Sequence, residues 1–259
     1  MKNKGFVDFD MWIKKDVSRL LDRDIEVVLH GGTALTFRGL KNFTLDVDMN
    51  VPNLEDFKSF RNVLEKLGYR LDMDFMVRGE HLIRYVSSTS DMDVVDLYHP
   101  TWNNWTITDK IRRMAKIIDY PHIAVVLPPP DALFLFKCYP LRVQDIGDLI
   151  TTIDSGISEE NVLGIYTEQE AMMHEREEDE NFDHMRSIIE ARIRFYLSLY
   201  LVAKSGRKSK VGKLYQNAVK LVADINIKGK EGEVISMIRT NPVMWMRFLE
   251  ITRNKIDKL

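Results

Sequence analysis

Cysteine is almost absent from this chain of 259 residues. Cys138 stands alone, which excludes a disulfide bond within the chain and favours a reducing, cytoplasmic setting. One Cys and six His show no zinc-ligand spacing. Long apolar runs are also missing, since the nearest, 195–202, falls short of the about 20 residues that a membrane helix needs. The charged residues 1–16 differ from a secretory signal, so we expect neither a signal nor a membrane partner.

A large net charge is lacking as well. The formal net charge is -2, so the whole molecule gives no argument for nucleic-acid binding, although a local basic patch remains compatible with it. Hydrophobic residues make up 45% of the chain and charged residues 29%, which is ordinary for a globular protein. This length supplies enough apolar material for one large domain or two modest ones.

Strand and helix signals alternate in the first part of the chain, whereas helical periodicity dominates from about Ser158 onward. We therefore predict an α+β fold, with a small mixed sheet flanked by helices in residues 1–156 and a helical domain in 157–259. The predicted strands are 25–30, 44–51, 69–74, 82–87, 92–98 and 123–127. The predicted helices are 9–21, 33–37, 53–67, one starting at Pro130, 142–153, 183–204, 209–226 and 241–256.

A glycine pair, Gly31-Gly32, follows the first predicted strand and precedes a short helix with Thr33 near its start. Glycines let a backbone approach a ligand closely, and a new helix presents free N–H groups to an anion. For the pair taken alone a plain turn is the favoured interpretation, because glycine pairs before helices are common.

Two acids lie two residues apart in the predicted strand 44–51. Asp46 and Asp48 then share one face with Thr44 and Asn50, whereas Leu45, Val47, Met49 and Val51 form the buried face. Neighbouring carboxylates repel one another unless water or a cation intervenes, and oxygen ligands suit a divalent ion such as Mg²⁺. A solvent-facing strand with two acids is the simpler alternative.

A third carboxylate is expected from the predicted strand 92–98. Asp93 and Asp96 are three residues apart, so a regular strand points them to opposite faces. We favour Asp96 because it lies between Val95 and Leu97, where an unpaired carboxylate would be costly. The alternative is a strand-end acid that meets solvent just before His99-Pro100.

Two motifs follow one another along the chain, His30-Gly31-Gly32-Thr33-Ala34-Leu35 and Thr44-Leu45-Asp46-Val47-Asp48. Together they resemble the nucleotidyltransferase superfamily of the polymerase-β type, in particular its AbiEii-like branch. That branch includes toxins of toxin–antitoxin systems. Residues 130–137 and 142–149 resemble the later helical motif of that branch. The resemblance covers roughly 25–155. Members often carry an arginine just before the acidic strand, where this chain has Lys41-Asn42-Phe43, so Lys41 or Arg38 is a candidate substitute.

The resemblance implies transfer of a nucleotide from a nucleoside triphosphate, with Asp46, Asp48 and Asp96 as catalytic ligands of Mg²⁺ or Mn²⁺. It also implies that Gly31, Gly32 and Thr33 bind the triphosphate. Lys137 is a candidate cation for the phosphates, and a surface lysine beside an apolar helix face is an equally good interpretation. The acceptor is left open between RNA, a protein and a small molecule. The alternative is an inactive protein of the same fold that acts by binding a partner.

Two further features bear on an RNA partner. Trp102 and Trp105 could stack on a base, although ordinary packing is the simpler interpretation. The cations within 204–213 could bind an RNA backbone, although a solvated turn between helices is slightly favoured.

Overall fold

A computed structural model describes residues 5–73, 82–101, 105–138 and 146–174. The chain divides into two compact units, residues 1–133 and residues 134–259. The helices predicted at 183–204, 209–226 and 241–256 lie outside the described residues, as does the basic stretch 204–213. The proposed division into 1–156 and 157–259 therefore stays a prediction.

The first unit contains a seven-stranded mixed sheet in the order β3-β4-β5-β2-β1-β7-β6. Its strands are β1 (Ile25–Leu29), β2 (Val47–Asn50), β3 (Arg70–Leu71), β4 (Leu82–Val86), β5 (Val94–Tyr98), β6 (Lys116–Tyr120) and β7 (Ile123–Leu127). The pairs β1–β7 and β2–β5 are parallel, and the other four are antiparallel. The expectation of a mixed sheet accompanied by helices is confirmed.

The helices begin with α1 (Phe6–Trp12), which continues through a π-helical turn, Ile13–Val17, and a 3-10 turn, Ser18–Leu20. The others are α2 (Gly31–Phe37), α3 (Leu54–Lys66), α4 (Asp109–Met114), α5 (Pro130–Cys138), α6 (Ile146–Asp154) and α7 (Glu159–His174). The side chain of Asn53 caps α3, and the hydroxyl of Thr108 caps α4. Among the described residues, no helix has the length and apolar character needed to cross a membrane.

The central strands are almost completely buried because both faces of the sheet are covered. Val27, Val28 and Leu29 of β1 are each 0% exposed, and so are Val125 and Val126 of β7. Such continuous apolar runs are typical of parallel strands covered on both sides. The two strands that meet at the candidate site, β2 and β5, are paired within this rigid central part of the sheet.

Strand β2 is shorter than predicted. It starts at Val47 instead of Thr44, so the alternation of faces does not extend back to Leu45, whose side chain is 47% exposed and not buried as predicted. Asn50 was expected on the polar face, but it is 2% exposed. Its side-chain amide donates to the carbonyl oxygens of Tyr98 and Pro100, which satisfies the group away from water.

The edge strand β6 and the helix α4 before it were not predicted. Four of the five residues of β6 are exposed or half-buried, and β6 is the last strand in the sheet order of the described residues. The apolar alternation that signals a half-buried strand is therefore absent from Lys116-Ile117-Ile118-Asp119-Tyr120.

Candidate metal centre

Three carboxylates meet where β2 and β5 lie side by side. Asp46, Asp48 and Asp96 each offer an oxygen atom, and these oxygens lie within 4.8 Å of one another. The parallel register pairs Asp48 with Asp96, so both side chains project from the same face of the sheet. Asp46 joins them from the segment just before β2.

The donor set fits a hard divalent cation. Two oxygens on opposite sides of one Mg²⁺ are about 4.2 Å apart, so small side-chain rotations would bring these carboxylates to coordinating distance. The Asp46 side chain is 33% exposed, which leaves the cluster open to solvent on one side, whereas the Asp96 side chain is 5% exposed. Carboxylate oxygens suit Mg²⁺ or Mn²⁺ better than softer metals.

Of the two candidates for the third carboxylate, Asp93 and Asp96, it is Asp96 that lies in the cluster. It occupies the middle of β5 and is 3% exposed. Asp93 precedes that strand, and its main-chain carbonyl accepts a hydrogen bond from the amide of Ser87 at 2.9 Å. The third carboxylate therefore comes from the position where β5 runs beside β2.

Arg84, which the sequence analysis missed, lies opposite Asp96 on the neighbouring strand β4. Its Nε donates to Asp96 Oδ1 and its Nη2 to Asp96 Oδ2, both at 2.6 Å. The same Nη2 is 4.0 Å from Asp46 Oδ2. A charged residue in the centre of Leu82-Ile83-Arg84-Tyr85-Val86 was the available signal, because a cation inside an apolar strand needs a partner.

The Asp96–Arg84 pair sets the electrostatics of the cluster. Burial raises the pKa of Asp96, and the two hydrogen bonds from Arg84 counteract that rise in part. The bonds to Asp96 raise the pKa of Arg84 above its already high ordinary value. Arg84 therefore stays protonated at neutral pH and supplies a positive charge inside the acidic cluster.

Thr33 holds the acidic segment in place from inside the protein. Its hydroxyl donates to the carbonyl of Asp46 at 3.1 Å and accepts from the amide of Asp48 at 3.0 Å. The amide of His30 donates to the carbonyl of Asp48 at 3.1 Å. Thr33 is 2% exposed, so its role in the described structure is to position the two acids.

The two glycines allow the acidic segment to pack directly against the turn. Gly31 has a φ of +54°, and a Cβ atom there would overlap the carboxylate of Asp48. A Cβ atom on Gly32 would lie 2.5 Å from the hydroxyl of Thr44 and 3.7 Å from Nζ of Lys41. Close approach by a neighbouring chain segment therefore requires glycine at both positions, whether or not a ligand also uses the turn.

Lys41 and Arg38, the two candidate substitutes for the arginine before the acidic strand, differ in their surroundings. Nζ of Lys41 lies beside Gly32, as expected for a cation at this turn. Arg38 instead donates from Nε to the carbonyl of Pro128 at 2.6 Å and from Nη2 to that of Leu127 at 2.9 Å. Its guanidinium holds the end of β7, so of these two candidates Lys41 is the one that lies next to Gly32.

Other predicted site residues have structural partners. Within the second unit, Nζ of Lys137 forms an ion pair with Asp148 at 2.9 Å, and both side chains are at most 10% exposed. Trp105 is 2% exposed and packs in the core, so the base-stacking alternative is not supported for it. Trp102 lies outside the described residues.

Comparison of the chain with protein-family models and with curated proteins gives no match.

Proposed function

We propose that this chain is a metal-dependent nucleotidyltransferase that moves a nucleotide from a nucleoside triphosphate to an RNA, protein or small-molecule acceptor. The observation that carries the proposal is the convergence of Asp46, Asp48 and Asp96, whose oxygens lie within 4.8 Å of one another. This cluster adjoins Gly31, because a Cβ atom on that glycine would overlap the carboxylate of Asp48.

The three carboxylates would hold Mg²⁺ or Mn²⁺. A divalent ion held there would stabilise negative charge as the acceptor oxygen bonds to the α-phosphorus in line and the bond to the leaving pyrophosphate breaks. The protein contributes the arrangement of its ligands. Thr33 fixes Asp46 and Asp48 through their main chain, and the register of β2 with β5 fixes Asp96.

Lys41 is the residue we assign to the phosphates. Its ammonium group lies next to Gly32, where a triphosphate that bridges the turn and the carboxylates would pass. A lysine supplies a point charge without the fixed fork of an arginine, so it attracts a phosphate with less directional preference. The proposed site thus keeps the charge of the arginine that members of the superfamily it resembles often carry.

Membership of a toxin–antitoxin pair, implied by the resemblance, is part of this proposal. Acceptor selection is assigned to the region after about Gly156, because the carboxylate cluster lies wholly within the first unit.

The second candidate function is partner binding by an inactive protein of the same fold. The observation that favours it is the Arg84–Asp96 pair, because Arg84 already provides Asp96 with a cation. Transfer of a nucleotide that depends on Asp48 distinguishes the two candidates.

The test uses Asp46→Asn and Asp48→Asn in the full chain, with Asp24→Asn as the matched control. The Asp24 side chain is 91% exposed and pairs with His122. Asp24 immediately precedes β1, so it lies at the opposite end of that strand from the carboxylate cluster. Label transfer from each of the four nucleoside triphosphates to cellular RNA and protein is measured together with Mn²⁺ binding. Loss of ligation removes several kcal/mol of transition-state stabilisation, so both site variants should lose at least about a hundredfold in rate.

Asp24→Asn should keep the rate of the unmodified chain. If either site variant transfers label at that rate, the metal assignment is wrong. If the unmodified chain binds Mn²⁺ but transfers no label from any triphosphate, the partner-binding candidate replaces the enzyme.

A further inference from the structure

Arg84 ends inside the carboxylate cluster. Its Nη2 atom is 2.6 Å from Asp96 Oδ2 and 4.0 Å from Asp46 Oδ2, so it lies between two of the three carboxylates. Both oxygens of Asp96 accept hydrogen bonds from the guanidinium. A cation shared by Asp46 and Asp96 would therefore compete with Arg84 for the same space and for the same oxygen atoms.

The charges explain why Arg84 is needed when no metal is bound. Three carboxylates this close repel one another strongly, and Asp96 is 3% exposed, so water screens its charge poorly. Removing one partner of a buried pair leaves an uncompensated charge. Arg84 offsets that charge with a bidentate contact, the strongest geometry between a guanidinium and a carboxylate.

We propose that Arg84 is a displaceable counter-cation: it occupies Asp96 in the metal-free chain and leaves Asp96 when a divalent ion binds the three carboxylates. Arg84 thereby stabilises the metal-free site and lowers its affinity for metal. This inference rests on the proposed function, because it takes the cluster to be a metal site.

The surroundings of Arg84 permit this exchange. Its side chain is 18% exposed and belongs to β4, a different strand from the acids, so the guanidinium can swing toward solvent while β5 keeps its place. Asp96 stays in its register with Asp48 throughout, because main-chain pairing and not Arg84 sets that register. Release of Arg84 from Asp96 therefore requires only side-chain rotation.

The experiment titrates Mn²⁺ alone into the full chain and follows free Mn²⁺ by electron paramagnetic resonance. The variants are Arg84→Gln, which removes the charge, and Arg84→Lys, which keeps it. Arg112→Gln is the matched control, because Arg112 makes a similar bidentate pair with Glu26 away from the cluster. Arg84→Gln should bind Mn²⁺ at least about tenfold more tightly than the unmodified chain, whereas Arg84→Lys and Arg112→Gln should stay close to it.

A second readout is thermal unfolding in EDTA. Arg84→Gln should unfold at a lower temperature than Arg112→Gln in EDTA, and saturating Mn²⁺ should remove the difference. The unmodified chain supplies a test that needs no stable variant. The ¹⁵Nε–H resonance of Arg84, assigned by its loss in Arg84→Lys, should shift and exchange faster with water when Mg²⁺ is added.

Equal or weaker Mn²⁺ binding by Arg84→Gln overturns the proposal, and so does an Arg84 resonance unchanged by saturating Mg²⁺. Asp48→Asn separates this outcome from failure of the proposed function. If the unmodified chain and Asp48→Asn bind Mn²⁺ equally, the cluster is not a metal site and both proposals fall. If Asp48→Asn loses binding but Arg84→Gln gains none, only the role of Arg84 is wrong.

Discussion

Thr33 shows how a single hydroxyl positions two acids. It donates to the carbonyl of Asp46 and accepts from the amide of Asp48, so it connects α2 to the start of β2. Thr36, one turn later on the same helix, donates to the carbonyl of Gly32 at 2.9 Å, which is a bond within its own helix. Both threonines are buried. The hydroxyl of Thr33 connects α2 to the segment before β2, whereas that of Thr36 bonds within α2.

Thr33→Val should destabilise the chain by about 1–3 kcal/mol, because the buried amide of Asp48 loses its acceptor. Thr36→Val should cost about 1 kcal/mol or less, since its removal leaves no amide without an acceptor. Urea unfolding measures both. Equal costs would show that the Thr33 hydroxyl does not hold the acidic segment.

His30 makes a pH-dependent contribution to stability. It is 1% exposed, and burial lowers its pKa to about 3 from the ordinary 6.5, so it is neutral in the folded chain. The unfolded chain binds a proton on this residue below pH 6.5 and the folded chain does not. The contribution is thus present in full above pH 6.5 and is lost as the pH falls toward 3.

The free energy of unfolding should therefore fall by about 2 kcal/mol more in the unmodified chain than in His30→Gln between pH 7 and pH 5. Urea titrations at both pH values provide the comparison. Parallel losses in the two proteins would mean that His30 becomes protonated in the folded state over this range.

The sequence predicted the acids better than their partners. Alternation along the predicted strand 44–51 placed Asp46 beside Asp48, and the two do lie close together, although Asp46 lies just before β2. The apolar neighbours of Asp96 distinguished it from Asp93. Arg84 was missed because its role depends on which strand lies beside β5. That pairing is a long-range property, and the spacing of residues along the chain does not contain it.

At the level of elements, the candidate site is built where helix α2 and strand β2 touch. The turn at Gly31-Gly32 follows the central strand β1 directly, and the residues before β2 pack against it. Gly31 has a φ of +54° and faces the carboxylate of Asp48, whereas Gly39, just after α2, has a φ of +69° with nothing within 4 Å of a Cβ position. Both have left-handed backbones, but only Gly31 faces a neighbouring side chain.

Gly31→Ala should therefore cost more than Gly39→Ala. In both variants a Cβ atom on a left-handed backbone lowers the free energy of unfolding by about 1–2 kcal/mol. Gly31→Ala must in addition displace the carboxylate of Asp48, so it should also weaken Mn²⁺ binding by at least about tenfold. Gly39→Ala should leave Mn²⁺ binding unchanged. Equal Mn²⁺ affinities in the two folded variants would show that Asp48 does not depend on the turn.

The elements that the sequence predicted are those with strong apolar periodicity. All six predicted strands are present, although β3 is reduced to Arg70–Leu71 and β2 loses its first residues. Residues 44–46 alternate like a strand, but β2 begins only at Val47, and Thr44 packs against Gly32. The exposed edge strand β6 lacks a periodic signal, because solvent accepts polar and apolar residues there alike.

For the whole molecule, the described contacts of the acidic cluster fall within the first unit. Residues 30–98 supply the carboxylates, Thr33, Arg84 and both glycines, and they lie within residues 1–133. The proposed metal site is therefore assigned to the first unit and the proposed acceptor selection to residues after about Gly156, and the chain continues for more than a hundred residues beyond the first unit.

A fragment of residues 1–156 tests this separation. It ends at Gly156, which has a φ of +89° between α6 and α7. The Mn²⁺ affinity of the fragment should be within about twofold of that of the full chain, because the fragment retains all three carboxylates of the cluster and the residues that position them. It should lose transfer to the natural acceptor by at least about tenfold, because specificity for a partner requires surface beyond a catalytic cluster. Circular dichroism and Mn²⁺ titration first establish that the fragment is folded. If a folded fragment modifies the acceptor as fast as the full chain does, residues 157–259 do not select it.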